Sequence, residues 1–227
     1  MFSGGALERI ADADSVAVIG LGRFGGSLAR ELMDTGTEVL GIDSNEEVVQ
    51  SFNGVLTHVV RADTTKEEVL RQLNVQDFDR VVLGIGTNLE ASILTASILL
   101  KFGHPTVWAK ATSDSQAEIL RQLGVRHVIQ PEHDMGKRVA HLVRGNMQDY
   151  VEFDDTLAMV RTTPPREAQD RPLGVTGIRD KYGVTVVAVR RTGGEWDHTT
   201  AQTVLYEEDE IIVAGPRAKA ERFSALL

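Results

Sequence analysis

The chain has 227 residues, no cysteine and a formal net charge of -9 at pH 7. That length predicts one large or two modest domains with a real core. The lack of cysteine excludes disulfides, thiolate metal sites and cysteine nucleophiles, and an acidic chain without a dense Lys/Arg stretch speaks against nucleic acid as a partner.

Residues Met1 to Asp14 mix Gly, Glu, Arg and Asp, which fits neither a signal peptide nor an anchor, and are expected to form an N-terminal extension (1–14). Val16-Ala17-Val18-Ile19 reads as a buried strand that breaks into Gly20-Leu21-Gly22-Arg23-Phe24-Gly25. Helical spacing follows at Leu28, Leu32 and Met33, and a second strand, Val39 to Ile42, ends on Asp43. In this strand, glycine turn, helix, strand, acid order, Gly20 allows the tight turn, Gly22 lets backbone approach a phosphate, and Gly25 lets the helix pack on the strand. The helix N-terminus offers N–H groups to an anion, and the Asp43 carboxylate can accept ribose hydroxyls.

A helix is expected over Glu46 to Phe52 and a strand over His58 to Val60. Ala62-Asp63-Thr64-Thr65 follows, with Thr64 or Thr65 as cap of a helix carrying Val69, Leu70 and Leu73. A fourth strand, Arg80 to Ile85, breaks into Gly86-Thr87-Asn88; a helix from Leu89 to Phe102 leads to a fifth strand, Thr106 to Lys110. The most apolar stretch, Ile93 to Leu100, is interrupted by Thr95 and Ser97 and is too short to span a bilayer, so a cytoplasmic protein is expected. A helix around Ala117 to Leu123 and a short strand, His127 to Ile129, complete the series. Regular alternation implies a Rossmann-like, doubly wound parallel α/β sheet, with ligand beyond the carboxyl ends of the strands. Asp43, Asp63, Gly86 and Lys110 fall at or just past those ends.

Pro131 opens a further helix. Beyond Gly145 the pattern changes to strand-like segments at Tyr150 to Phe153, Leu157 to Arg161, Val184 to Val189 and Glu210 to Val213, with a Pro-rich loop from Thr163 to Pro172 and one short helix near Ile178 to Tyr182. The expected organisation is a nucleotide-binding domain over 15–135, a linking helix over 136–149 and a small α+β domain over 150–227.

Three stretches together, Ile19-Gly20-Leu21-Gly22-Arg23-Phe24-Gly25-Gly26, Trp108-Ala109-Lys110-Ala111 and Pro131-Glu132-His133-Asp134-Met135-Gly136, resemble the cytosolic regulatory subunits of Ktr/Trk-type potassium uptake systems, members of the RCK (KTN) domain family. Arg179-Asp180-Lys181-Tyr182-Gly183 matches that family's C-terminal domain. The resemblance implies an N-terminal domain that binds ATP or ADP, and in some members NAD(H). It also implies dimers that assemble into an octameric ring on the cytoplasmic face of a potassium-translocating membrane subunit, with nucleotide exchange gating the pore. It further implies cyclic di-AMP as a ligand of the C-terminal domain. Two positions depart from the pattern: His133 stands where a lysine is common, and Leu173-Gly174-Val175 is not the isoleucine-rich run expected at a cyclic di-AMP site.

Arg23 can fold over nucleotide phosphates, the alternative being a solvated arginine on the first turn. Asp43 is followed by Ser44 and Asn45 and no arginine, which argues against a 2′-phosphate and hence against NADP. Asp63 and Thr64 either frame the adenine or only cap a helix. Lys110 either neutralises a phosphate or is solvated. Glu132 is a first-turn acid favoured by the helix dipole; the resemblance gives it a contact across a dimer interface to the phosphates through Mg2+ or Ca2+, where one carboxylate would need oxygens from phosphate and water. Arg179 is either a surface arginine or a phosphate ligand for the second messenger. The six histidines show no HExxH pattern, and no zinc site is expected.

The rival reading is an NAD-dependent dehydrogenase or redox-sensing protein. Against it, the second domain holds one histidine, His198, and no Ser/Lys, Tyr/Lys or His/Asp constellation to move a proton. No basic helix-turn-helix or winged segment supports a transcription factor. A nucleotide-responsive binding subunit, not an enzyme, is expected.

Overall fold

The computed structural model describes residues 15–104, 106–144, 147–154 and 156–226. The expected extension 1–14 lies outside the described residues, as does Gly145. Two compact units divide the chain between Glu132 and His133.

The first unit runs β1 (Ser15–Ile19), α1 (Arg23–Asp34), β2 (Glu38–Asp43), α2 (Glu46–Ser51), β3 (His58–Arg61), α3 (Glu67–Gln72), β4 (Arg80–Leu83), α4 (Leu89–Lys101), β5 (Val107–Lys110), α5 (Asp114–Leu123) and β6 (His127–Ile129). Its six strands are parallel, in the order β3-β2-β1-β4-β5-β6. This is the doubly wound, Rossmann-like sheet implied by the alternation of elements, and the order reverses between β1 and β4. Strands covered on both faces read as continuous apolar runs. Val16, Ala17, Val18 and Ile19 are all buried: Ala17 and Ile19 join Leu83, Leu99 and Leu120 on one face, Val16 and Val18 join Leu21, Ala29 and Phe52 on the other.

Helix starts follow local chemistry. The Asn45, Asn88 and Ser113 side chains accept N–H groups of α2, α4 and α5. Two sequence expectations need correction. β4 ends at Leu83, two residues early, where Gly84 donates its N–H to the Ile19 carbonyl and the chain turns away. Neither Thr64 nor Thr65 caps α3: the helix begins at Glu67 behind Lys66, with no side-chain cap. The Thr65 N–H and hydroxyl are already donated to Asp63, and the Thr64 hydroxyl is buried against that of Thr95, 3.1 Å away.

α6 (Pro131–Arg144) starts in the first unit and continues into the second, which adds β7 (Asp149–Glu152), β8 (Ala158–Thr162), α7 (Leu173–Thr176), α8 (Ile178–Tyr182), β9 (Thr185–Arg190), β10 (Trp196–His198), β11 (Glu210–Gly215) and α9 (Arg217–Ser224). These strands form an antiparallel sheet in the order β10-β9-β11-β8-β7. Val186, Val189, Leu205, Ile211, Val213 and Phe223 build its core. Among the described residues α7, α8 and α9 accompany this sheet where one short helix was expected: α7 is a single turn, too short to show a helical period, and α9 buries only Ala220, Phe223 and Ser224, too few to mark an apolar stripe. Among the described residues no helix is long and apolar enough to cross a membrane.

Candidate nucleotide site

A cavity of about 520 Å³ opens at the carboxyl ends of β1, β2 and β4, where the strand order reverses. Its walls include Gly20, Gly22, Arg23 and Phe24, then Asp43 and Ser44, then Asp63 and Thr64, and finally Gly86 and Lys110. Ile85, Thr87, Asn88 and Ala91 also line it. Sequence reasoning missed these four, although the break after β4 pointed to them.

The glycines divide their work as the geometry demands. Gly20 has φ +91°, where L side chains are strained. A Cβ on Gly25 would sit 1.9 Å from the Gly20 carbonyl oxygen, so α1 packs on the turn only with glycine there. A Cβ on Gly22 would meet nothing within 4 Å: this face is open. Gly22 is also the N-cap of α1 and supplies no side-chain cap, and the first turn carries no acid. The leading N–H groups of α1 therefore face the cavity end of the helix without a resident anion, which is the arrangement an anion seeks.

Asp43, half-buried at the end of β2, accepts the Leu21 N–H at Oδ2 (2.8 Å) and the Asn45 N–H at Oδ1 (2.9 Å). These two bonds fix the carboxylate beside the glycine turn while each oxygen keeps further acceptor capacity. Ser44 offers its carbonyl to Arg61 Nε at 3.2 Å. Asp63 is locked by Thr65, whose hydroxyl and N–H hold its carboxyl below the usual carboxylate range.

Lys110 is neither solvated nor free. Its side chain is 10% exposed and its Nζ donates to Glu132 Oε1 at 2.6 Å, while lying 5.7 Å from the Phe24 ring centroid. That hydrogen bond first, then the N–H of Glu132 itself and the charges of Lys110 and Arg23, keep the Glu132 carboxyl below its usual range. Arg23 and Lys110 thus line the cavity, and Glu132, which does not line it, is tied to it through Lys110 within a single chain. Among the described residues no three His, Asp or Glu side chains are grouped to hold a metal ion. Glu132 alone, already bound to an ammonium, does not build a divalent site. Arg179 lies on α8 in the second unit, exposed, and its neighbours Lys181 and Tyr182 engage Glu167.

Residues 16–131 match the family model described as TrkA-N domain, and residues 157–227 match TrkA-C domain. The chain is 38% identical over 208 residues to Ktr system potassium uptake protein C of Bacillus subtilis (strain 168), covering 91% of this chain and 94% of the relative. It is 35% identical over 204 residues to Ktr system potassium uptake protein A of Vibrio alginolyticus, covering 89% and 93%. Among solved structures, the GsuK channel superposes with a TM-score of 0.67 at 17% identity and the GsuK RCK domain with 0.65 at 17%, each over 94% of this chain. The chain spans 39% and 47% of the length of those two solved chains, and the likeness concerns the fold. With TrkA-N and TrkA-C models matched in succession and relatives above 30% identical along nine-tenths of its length, this chain belongs to the RCK family of Ktr-type potassium uptake proteins.

Proposed function

We propose that the chain is a nucleotide-responsive regulatory subunit that binds ATP or ADP in the cavity at β1, β2 and β4, and through it controls a potassium-translocating membrane protein. The observation that carries this reading is the open face of Gly22 at the N-terminus of α1, set beside a fixed Asp43 carboxylate. Phosphates take the helix N–H groups and the Arg23 guanidinium, and the ribose hydroxyls donate to Asp43. Asp63 and Thr64 border the base, and Gly86 and Lys110 close the opposite side.

A γ-phosphate arriving at Arg23 and Lys110 competes with Glu132 for the Lys110 ammonium, which supplies the differential contact that ATP and ADP need if they are to favour different states. A Mg2+ or Ca2+ ion beside Glu132 requires phosphate and water oxygens as its other ligands. By the family resemblance, the subunit forms dimers that assemble into an octameric ring on the inner face of the membrane. Cyclic di-AMP at Arg179 rests on the same resemblance alone.

NAD(H) is the second reading, because the cavity extends past β4 to Thr87, Asn88 and Ala91; the GsuK channel, similar in fold, has been solved bound to NAD. Calorimetric titration of the full chain with ATP, ADP, NADH and NADPH tests both. Asp43→Ala should weaken binding of the preferred nucleotide by about 1–3 kcal/mol, the cost of losing a charged hydrogen bond. Unchanged ATP and ADP affinity in that variant overturns the assignment.

A further inference from the structure

Beneath the far wall of the cavity lies a group of buried polar side chains that nucleotide contact leaves unused. Gln116 on α5 is 2% exposed, and Ser92 on α4 is wholly buried. Gln116 Oε1 accepts the Thr112 N–H at 2.9 Å and the Thr112 hydroxyl at 3.0 Å, and Gln116 Nε2 donates to Ser92 Oγ at 3.2 Å. A buried amide is costly unless both ends are satisfied. Here one end is satisfied on α4 and the other on the segment that follows β5.

Thr112 in turn stands against Gly86. Its hydroxyl lies 3.4 Å from the Gly86 carbonyl oxygen, and a Cβ on Gly86 would come within 3.3 Å of the Thr112 methyl. On its other side the same segment presses on the glycine turn: a Cβ on Gly84 would be 2.8 Å from the Gly20 carbonyl oxygen. Gly84 to Gly86 is therefore wedged between the phosphate-side turn and Thr112. The Thr112 hydroxyl has one hydrogen and two acceptors in reach. Gln116 fixes where that hydroxyl stands.

We infer that Gln116, acting through Thr112, is a positioning residue that sets the width of the nucleotide cavity at Gly86 to Asn88. Its effect on affinity rests on the nucleotide reading above; its effect on the loop does not. Two measurements on the full chain separate them: ADP affinity by calorimetry, and amide hydrogen exchange without nucleotide at Gly84 and Ala91, whose N–H groups flank the segment and are bonded to the Ile19 carbonyl and the Asn88 side chain. Thr112 is exposed, so Thr112→Val removes the hydroxyl without threatening the core. This variant should weaken ADP binding about fivefold and speed exchange at Gly84 and Ala91, with the wild-type melting temperature. Thr112→Ser, which restores the hydroxyl, should recover both. Gln116→Met should act in the same direction, and if it fails to fold Thr112→Val decides alone. Wild-type exchange together with wild-type ADP affinity in Thr112→Val overturns the inference. If the unmodified chain binds no ADP, the nucleotide reading fails instead, and exchange still decides: faster in Thr112→Val supports the positioning role, unchanged overturns it.

Discussion

Two glycines about 4.5 Å of helix apart answer to different masters, one to packing and one to ligand. A methyl at Gly25 collides with the Gly20 carbonyl, whereas one at Gly22 enters open space. Gly25→Ala should therefore cost about 3 kcal/mol of stability through overpacking. Gly22→Ala should cost under about 1 kcal/mol, as a change of N-cap, yet weaken nucleotide binding by tenfold or more because the methyl occupies the phosphate's approach. Urea unfolding and calorimetry on the two variants check the contrast; equal loss of stability removes it. The Lys110–Glu132 pair gives a pH-dependent prediction. Glu132 is depressed chiefly by the Lys110 hydrogen bond, so its contribution is fully present above the usual carboxylate range and is lost as pH falls through the lowered folded value. The carboxylate is well exposed, 62%, so solvent screening limits the effect. Glu132→Gln should destabilise by about 1 kcal/mol at neutral pH, and the gap from wild type should shrink as pH is lowered towards about 4 and below, read from unfolding midpoints at several pH values.

α6 exposes an apolar stripe along its second-unit part. Met135, Val139 and Val143 follow one another at four-residue spacing and are 54%, 45% and 79% exposed, so one face of the helix is apolar and uncovered within the chain. Under the assembly proposed above, a second copy covers it. Val139→Glu with Val143→Glu should lower the mass seen by light scattering at micromolar concentration; an unchanged mass places the subunit contacts elsewhere. The elements differ in how openly the sequence declared them. β1, α1 and β2 were legible because three signals coincide there: a doubly buried apolar run, glycines at fixed spacing and an acid at the next strand end. β10 was not, since all three of its residues are exposed and no alternation marks Trp196 to His198. The Lys110–Glu132 contact was equally hidden: its members are 22 residues apart and meet only because β5 and β6 lie side by side, bringing the end of β5 to the start of α6. Nor could periodicity locate Gln116 in a core, as a polar residue on an amphipathic helix reads by default as solvent-facing.

At the scale of the whole chain, the acidic balance and absent cysteines restricted chemistry, while the regular α/β series followed by irregular strands disclosed two architectures in succession. What neither composition nor pattern could disclose is which strand ends up in the middle of each sheet. In the first unit β1, the earliest described strand, shares the middle with β4 and pairs with β2 on its other edge, with Ser15 hydrogen-bonded to Asp79 across 64 residues of sequence. In the second it is β11, the last strand, which pairs with both β8 and β9. During synthesis the two sheets therefore keep opposite schedules. Val16 to Ile19 must wait with one edge unpaired until Arg80 to Leu83 has left the ribosome, whereas the second sheet has no centre to close around until Glu210 to Gly215 arrives. A premature stop just before Glu210 would for that reason remove the middle of the second sheet, separating β7 and β8 from β9 and β10, rather than trim an edge; protease resistance of such a truncated chain should survive over the first unit and vanish over the second.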